Sequence, residues 1–164
     1  MKKLMLLVGF ILVASTLVGC IITSDHEAAA MPVGEISQQQ LLTEHQSFSD
    51  GYQDYVLNAE QVAQVKQWPE NLSIDVFFGT WCHDSQREVP RLLKINQSNH
   101  NVSVNLIALD YNKSEPKQRA QQYQIKYTPT FIVSINGNEL GRIIEKPNIS
   151  LIADINQLIA ANRK

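Results

Sequence analysis

The turn formed by residues 77–85 carries the side chain best suited to chemistry in this chain. It has the sequence Phe-Phe-Gly-Thr-Trp-Cys-His-Asp-Ser, and it joins an apolar strand pattern to a helical pattern that continues to about Ile95. A cysteine reacts as the thiolate, and the free backbone N–H groups at a helix start favour negative charge on the sulfur. Cys82 is therefore the candidate nucleophile, and a disulfide is its natural target.

The N-terminal segment of the chain predicts export and a lipid anchor. A Lys-Lys pair precedes an uncharged apolar segment, residues 4–18, as in a signal peptide. Residues 17–20, Leu-Val-Gly-Cys, resemble the lipobox of bacterial lipoproteins, in which cleavage precedes a cysteine that then carries lipid. This resemblance implies lipidation of Cys20. An uncleaved transmembrane anchor over residues 4–22 is the alternative, because that apolar length could just span a bilayer.

These assignments divide the chain into three parts. We expect a signal peptide at residues 1–19, a membrane tether at residues 20–35 and one folded domain at residues 36–164. If Cys20 carries lipid, Cys82 is the only free thiol, so no intramolecular disulfide can form even in an oxidising compartment. The expected location is the bacterial cell envelope, with the domain outside the cytoplasm and facing the periplasm if the cell has an outer membrane.

The composition argues against several classes of function. The formal net charge is −2, so the chain lacks the basic character that a nucleic-acid partner would require. The four histidines lie at positions 26, 45, 83 and 100, without the spacing of a metal site, so neither a metal nor another cofactor is expected. The hydrophobic fraction of 44% is typical of a globular chain with a core.

The hydrophobic pattern predicts an α/β domain with a mixed sheet. Strand patterns alternate with helical ones, and a closing hairpin with the turn Asn136–Gly137 makes part of the sheet antiparallel. We expect three layers, with helices on both faces of the sheet. Predicted helices begin at Ser37 and Asn58 and cover residues 83–95, 115–124 and 149–161; predicted strands cover residues 52–57, 72–78, 102–109, 130–135 and 139–144, with a turn at residues 48–51.

Three features together resemble the thioredoxin superfamily. They are a Trp-Cys turn at a helix start, Pro90 inside that helix, and a Thr-Pro pair at residues 128–129 before a strand. The resemblance covers residues 72–161 well and is weak over residues 36–67. Residues 141–147 and the turn pattern Trp-Cys-x-Asp-Ser are similar to bacterial thioredoxin-like proteins, so the resemblance implies a thioredoxin-like fold.

The resemblance also implies which side chains surround the reacting sulfur. Cys82 would be the nucleophile, and the hydroxyl of Ser85, three residues later, would act with it as a hydrogen-bond donor to the sulfur. Pro129 would be cis and would face the thiol. The residues that contact a protein substrate would be Trp81, His83, Thr128 and Pro129.

Two departures from the family limit this chemistry. Ser85 stands where thioredoxins have the second cysteine of their redox pair, and Val76 stands where they have a buried acid. The neighbouring Asp75 should point to the other face of its strand. With neither a resolving thiol nor the acid, the ordinary dithiol cycle is not available.

The same residues also have structural interpretations. Cys82 is compatible with a role as a small buried side chain. Ser85 and Glu88 match a capping box, which would start the helix at Ser85 and leave Cys82 one turn too early. Pro129 is compatible with an ordinary trans proline at a strand start.

Two functions from different classes fit these residues. The first is a membrane-anchored monothiol thiol–disulfide oxidoreductase, in which Cys82 attacks a protein disulfide or mixed disulfide and an external thiol releases the product. The second is a non-enzymatic module that binds a partner protein through Trp81, Cys82 and Pro129. The expected partners are protein thiols or disulfides, and the membrane that holds the lipid on Cys20.

Overall fold

A computed structural model describes residues 31–162, so the predictions for the signal peptide and for Cys20 lie outside the described residues. No helix in this part of the chain is long and apolar enough to cross a membrane. In chain order the elements are β1 (Gly34–Ile36), α1 (Gln38–Glu44), α2 (Gln46–Asp54), α3 (Ala59–Val65), β2 (Leu72–Phe78), α4 (His83–Asn96), β3 (Ser103–Ala108), α5 (Arg119–Gln122), β4 (Thr130–Ile135), β5 (Asn138–Ile144) and α6 (Leu151–Ala161).

The strands of the described residues form one mixed sheet in the order β1-β3-β2-β4-β5. The central strand β2 is parallel to β3 and antiparallel to β4. The edge strands β1 and β5 are each antiparallel to their one neighbour. Val76 of β2 is paired with Leu106 on one side and with Phe131 on the other, so neighbouring strands fix β2 from both sides.

The side chains of β2 are buried on both faces of this sheet. Ile74, Val76 and Phe78 point into the larger core, to which α1, α2, α3, α4 and α6 contribute. Phe77 points to the opposite face, into a smaller core that includes Ala120 of α5. Within the described residues, helices therefore cover both faces unequally. The predicted three-layer α/β fold with a mixed sheet is confirmed.

The prediction of a turn at residues 48–51 and a strand at residues 52–57 is wrong, because α2 occupies most of this region. Phe48 is fully buried and meets the ring of Phe78 edge to face, with 5.8 Å between ring centroids. Gly51 lowers the intrinsic helix propensity, but it also permits close packing on α4, since a Cβ there would lie 3.2 Å from Pro90 Cγ. Tertiary packing therefore outweighs local propensity at this point.

The sheet begins earlier than predicted. Gly34 and Glu35 lie within the predicted tether, residues 20–35, but they belong to β1 and pair with β3 at the edge of the sheet. The Glu35 carboxylate binds Lys117 Nζ at 3.1 Å and Arg119 Nη1 at 2.8 Å. The hydrogen bond from Lys117 and the charges of both cations lower the pKa of the Glu35 carboxyl. A strand of three residues is too short to show a period in the sequence.

The helix predicted at residues 115–124 is reduced to the four residues of α5. Gln118 has a left-handed φ of 56°, which interrupts any helix before it. The buried carboxylate of Glu115 accepts hydrogen bonds from the backbone N–H groups of Lys117 and Arg119. Glu115 therefore organises a loop that the helical pattern did not indicate.

The predicted helix starts and the hairpin turn are confirmed. The hydroxyl of Ser37 accepts a hydrogen bond from a backbone N–H in the first turn of α1, and Asn58 forms a capping box with Gln61 of α3. Asn136 and Gly137 have φ values of 52° and 77°, the left-handed conformations that a two-residue hairpin turn requires.

We expect Phe48→Ala to lower the free energy of unfolding by about 3–5 kcal/mol, because it leaves a cavity between α2 and β2. Val56→Ala is the matched control, since Val56 is 79% exposed; we expect it to change stability by less than about 0.5 kcal/mol. Urea denaturation followed by circular dichroism measures both. Similar stability of the two variants would contradict the packing role of α2.

Candidate active site

Cys82 lies at the start of α4, directly after the central strand. Its extended backbone, with φ of −90° and ψ of 123°, makes it the N-cap residue. Its N–H donates to the carbonyl of Gly79 at 3.0 Å, and its carbonyl accepts the first helical hydrogen bond, from Gln86 N–H at 2.9 Å. The helix therefore begins at His83. The alternative in which Ser85 caps the helix is wrong.

Ser85 connects the first turn of α4 to the end of β2. Its side chain is fully buried, and its hydroxyl oxygen accepts a hydrogen bond from Gly79 N–H at 3.3 Å. The hydrogen bonds of the described residues include none between Ser85 and the sulfur of Cys82. The expected donation from Ser85 to the sulfur is therefore absent from this arrangement, and Ser85 holds the turn that carries the thiol.

The thiol of Cys82 faces the loop before β4. It is half-buried, and Sγ donates to the carbonyl of Thr128 at 3.1 Å. The Thr128–Pro129 peptide bond is cis, as the resemblance implied, so the trans alternative is wrong. The loop is held from both sides, since the hydroxyl of Thr130 donates to the Tyr127 carbonyl and Glu145 N–H donates to the Pro129 carbonyl, each at 2.7 Å.

Trp81 is fixed beside the thiol by contacts with two loops. Its indole Nε1–H donates to the carbonyl of Leu109 at 3.2 Å. The ring lies so close to Gly79 that a Cβ there would be 2.5 Å from Trp81 Cε2, so this position requires glycine. Tyr111 packs on the indole with 5.1 Å between ring centroids, and Lys113 Nζ lies 6.0 Å from its centre.

Sequence reasoning missed Leu109, Tyr111 and Lys113, the partners of Trp81. They follow β3, whose carboxyl end lies beside the carboxyl end of the parallel strand β2. Neighbouring parallel strands bring the loops that follow them to the same edge of a sheet. The strand–helix–strand order from β2 to β3, which favours parallel neighbours, was the signal in the sequence that would have placed these residues near Cys82.

A network of charged side chains lies along the first turns of α4. Asp84 pairs with Arg87 at 2.7 Å, and the buried carboxylate of Glu88 binds Arg87 at 2.6 Å and Arg91 at 3.0 Å. The hydrogen bond from Glu88 is the main cause that raises the pKa of the Arg87 guanidinium. The Arg87 guanidinium thus lies against the carboxylate of Asp84, two residues after Cys82.

A groove of about 420 Å³ lies on the Trp81 side of the turn, between α1 and the loop after β3. Met31, His45, Trp81 and Tyr111 are among its lining residues. Burial lowers the pKa of the His45 imidazole, and the charge of Glu44 partly opposes this. The Nε2 atom of His45 is buried without a hydrogen-bond partner in the described structure.

Three further residues of the sequence analysis, Val76, Asp75 and His83, lie on β2 and at the start of α4. Val76 is fully buried in the larger core, so no carboxylate occupies the position of the family's acid. Asp75 points away from that core and accepts a hydrogen bond from Asn105 Nδ2 at 2.7 Å. His83 is exposed next to Cys82. Among residues 31–162, no cluster of three or more potential ligands is arranged to hold a metal ion.

The structure thus brings together Cys82, Ser85, Trp81, His83, Thr128 and Pro129. Their roles in catalysis and substrate binding stay predictions. In this arrangement the half-buried sulfur lies at a helix start. The stacked rings of Trp81 and Tyr111 lie on one side of it, and the loop with Thr128 and Pro129 lies on the other. Such a site can present a thiolate to a sulfur electrophile.

Comparison with known proteins places this arrangement in a family. A family described as thioredoxin matches residues 31–153. A thioredoxin of Echinococcus granulosus is 30% identical over 93 residues, which span 57% of this chain and 79% of that protein.

Two solved structures are similar in fold. An HIV epitope-scaffold superposes with a TM-score of 0.59 at 17% identity, covering 73% of this chain and 86% of its own. A protein of unknown function from Pseudomonas aeruginosa superposes with a TM-score of 0.53 at 21% identity, covering 73% and 74%. Since the family match extends over most of the domain, from the residues before β1 into α6, the chain belongs to the thioredoxin family.

Proposed function

We propose that this protein is a monothiol thiol–disulfide oxidoreductase that acts through Cys82. The observation that carries the proposal is the position of the thiol, which lies at the start of α4 and 3.1 Å from the Thr128 carbonyl, while Ser85 occupies the place one turn later. Membership in the thioredoxin family supports chemistry on protein thiols or disulfides.

The helix start supports a nucleophilic role for the sulfur. The first N–H groups of a helix have no partners within it, and the helix dipole favours negative charge there. The pairing of Asp84 with Arg87 limits the opposing charge nearest to Cys82. Trp81 and Tyr111 offer an apolar surface on which a peptide next to a disulfide would rest.

The reaction proceeds by two exchanges. The Cys82 thiolate attacks one sulfur of a substrate disulfide, a new S–S bond forms, the old one breaks, and the other substrate sulfur leaves as a thiolate with the bonding electrons. A thiolate from solution then attacks the sulfur bound to Cys82, forms a disulfide with it and releases the Cys82 thiolate. Each step converts one disulfide into another, so no further oxidant is required.

A binding module is the second candidate, and two residues favour it. Neither Ser85 nor Val76 can help to release a substrate, since one is a buried hydrogen-bond acceptor and the other is apolar. In that case the surface around Cys82 would hold a partner protein without turnover. The next experiment separates these two functions.

We expect the protein in cells to form mixed disulfides through Cys82. Cells quenched with acid and analysed by non-reducing electrophoresis should show adducts that disappear with reductant and are absent from the Cys82→Ser variant. These adducts should be long-lived, because release depends on an external thiol without the advantage of proximity. Absence of any such adduct, even under disulfide stress, would favour the binding module.

We expect Ser85→Cys to shorten the lifetime of these adducts by about tenfold or more, because a thiol one turn away attacks intramolecularly. The variant should also gain insulin reductase activity that the wild type lacks, although Val76 limits the gain. Ser85→Ala is the matched control: its adducts stay long-lived, while the loss of the Gly79 hydrogen bond costs about 1–3 kcal/mol of stability. Equal adduct lifetimes in all three proteins would contradict the monothiol mechanism.

We further propose that the protein is a lipoprotein of the cell envelope. The support is the Leu-Val-Gly-Cys sequence at residues 17–20 after an apolar segment, together with a family match that starts only at residue 31. The tether then runs from Cys20 to the residue before Gly34. Ile21 after Cys20 is not the aspartate that keeps many lipoproteins in the inner membrane, which favours an outer membrane where one exists.

We expect Cys20→Ser to abolish incorporation of labelled fatty acid and to leave the precursor uncleaved. Labelling of growing cells followed by immunoprecipitation measures both effects, and Cys82→Ser, which should label normally, is the control. A wild-type protein that takes up no label would instead support an uncleaved transmembrane anchor.

A further inference from the structure

The described chain enters the fold at the same end of the sheet as Cys82. Gly34, at the start of β1, is paired with Ala108 of β3, and Ala108 is paired with Phe78, the last residue of β2. Two strand spacings separate Gly34 from Phe78, a distance of about 10 Å. Met31 and Trp81 line the same groove. The tether therefore leaves the domain beside the thiol.

The C-terminal helix ends at the opposite end of the sheet. The far end of β2 is marked by the pairing of Leu72 with Ile135, next to the β4–β5 hairpin. After α6, the side chain of Asn162 donates to the carbonyl of Leu140, close to that hairpin. Since β2 has seven residues, this end lies about 20 Å from the end that carries Cys82.

The average length of the tether is smaller than the width of the domain, since a random-coil chain of eleven residues has a root-mean-square end-to-end distance of about 20 Å. Eleven peptide units join Cys20 to Met31, and at full extension they span at most about 40 Å. A domain of this size is itself about 35 Å across. A connection with this average length that leaves from the Cys82 end keeps that end, on average, nearer to the membrane than the hairpin end.

The surface around the exit has the side chains that suit a membrane interface. Tyr111 is 68% exposed and stacks on Trp81, with the ammonium group of Lys113 close to the indole, and Tyr127 beside the Thr128 loop is 53% exposed. Tyr and Trp are enriched at the boundary between lipid and water, and lysine is attracted by anionic lipid. This aromatic surface therefore agrees with the direction set by the tether.

We propose that the anchored domain presents Cys82 towards the lipid surface and that its substrates are disulfides of membrane-bound proteins within about 40 Å of that surface. This inference rests on the proposed function, since it needs both a reactive Cys82 and a lipid on Cys20. Location on one membrane raises the effective concentration of such substrates over soluble ones.

The test compares two disulfide probes in liposomes. One is a thionitrobenzoate mixed disulfide linked by a short spacer to a lipid headgroup, and the other is the soluble disulfide formed by two thionitrobenzoate groups. In both, the Cys82 thiolate attacks the sulfur distal to the coloured group, a new S–S bond to Cys82 forms, and thionitrobenzoate leaves with the electron pair. Its absorbance gives both rates.

A matched pair of variants separates orientation from reactivity. Both carry one cysteine-free transmembrane helix and a copy of residues 21–30, placed either before Met31 or after Lys164; the mature lipid-carrying protein is the reference. We expect similar rates with the soluble disulfide. With the lipid-linked disulfide, the N-terminally anchored form and the lipoprotein should react at least about tenfold faster than the C-terminally anchored form.

A third variant tests the tether without moving the anchor. Thirty Gly/Ser residues inserted between Ala29 and Ala30 should slow the reaction with the lipid-linked probe about sevenfold, since effective concentration falls with roughly the −3/2 power of linker length. The rate with the soluble probe should not change.

The possible outcomes separate the orientation of the domain from the reactivity of Cys82 and from its anchoring. Equal rates of the two anchored forms on the lipid-linked probe, with normal rates on the soluble one, overturn this inference and leave the proposed function intact. No reaction of Cys82 with either probe overturns the proposed function and this inference with it. A wild-type protein without fatty acid on Cys20 overturns the anchoring on which the inference rests.

Discussion

The burial of β2 on both of its faces is the constraint on which the rest of the structure depends. Val76 and Phe77 are neighbours in the sequence but belong to different cores, so a shift of the strand by one residue would exchange them. That fixed register determines where the strand ends, and hence where the chain turns at Gly79. Two hydrogen bonds close this turn, from Cys82 N–H to the Gly79 carbonyl and from Gly79 N–H to the Ser85 hydroxyl. They fix Cys82 at the start of α4.

The sequence was sufficient for the elements whose pattern is local. The continuous apolar run of β2 and the Asn136–Gly137 turn need no information from distant residues, and both were placed correctly. The helix α2 was missed because its reason to form is distant: Phe48 is buried against Phe78, thirty positions later by number. The same limit applies to β1, whose three residues are recognisable as a strand only beside β3.

The residues of the candidate site also fall into those that a sequence motif predicts and those that only the fold shows. Cys82 and Pro129 were connected through the family resemblance, although 46 residues separate the thiol from the carbonyl that it contacts. Tyr111 and Lys113 have no motif and were found only in the fold. Ser85 had two interpretations from the sequence, as a donor to the sulfur and as a helix cap, and its hydroxyl instead accepts from Gly79. The hydroxyl of Ser85 thus has a structural partner in Gly79, and the hydrogen bonds of the described residues include none from it to the sulfur.

The edge strand β1 also determines how the domain responds to force. A pull on the N-terminal segment acts along β1, starting at Gly34, while the hydrogen bonds to β3 run across the strand. Such a pull loads the hydrogen bonds at all three paired positions of β1 and β3 at the same time, as in shear. It does not break them one after another from one end. The ion pairs of Glu35 with Lys117 and Arg119 resist the same displacement. In the proposed lipoprotein, tension on the N-terminal segment would thus be carried by β1 and its hydrogen bonds to β3, and the turn around Cys82 would bear none of it directly.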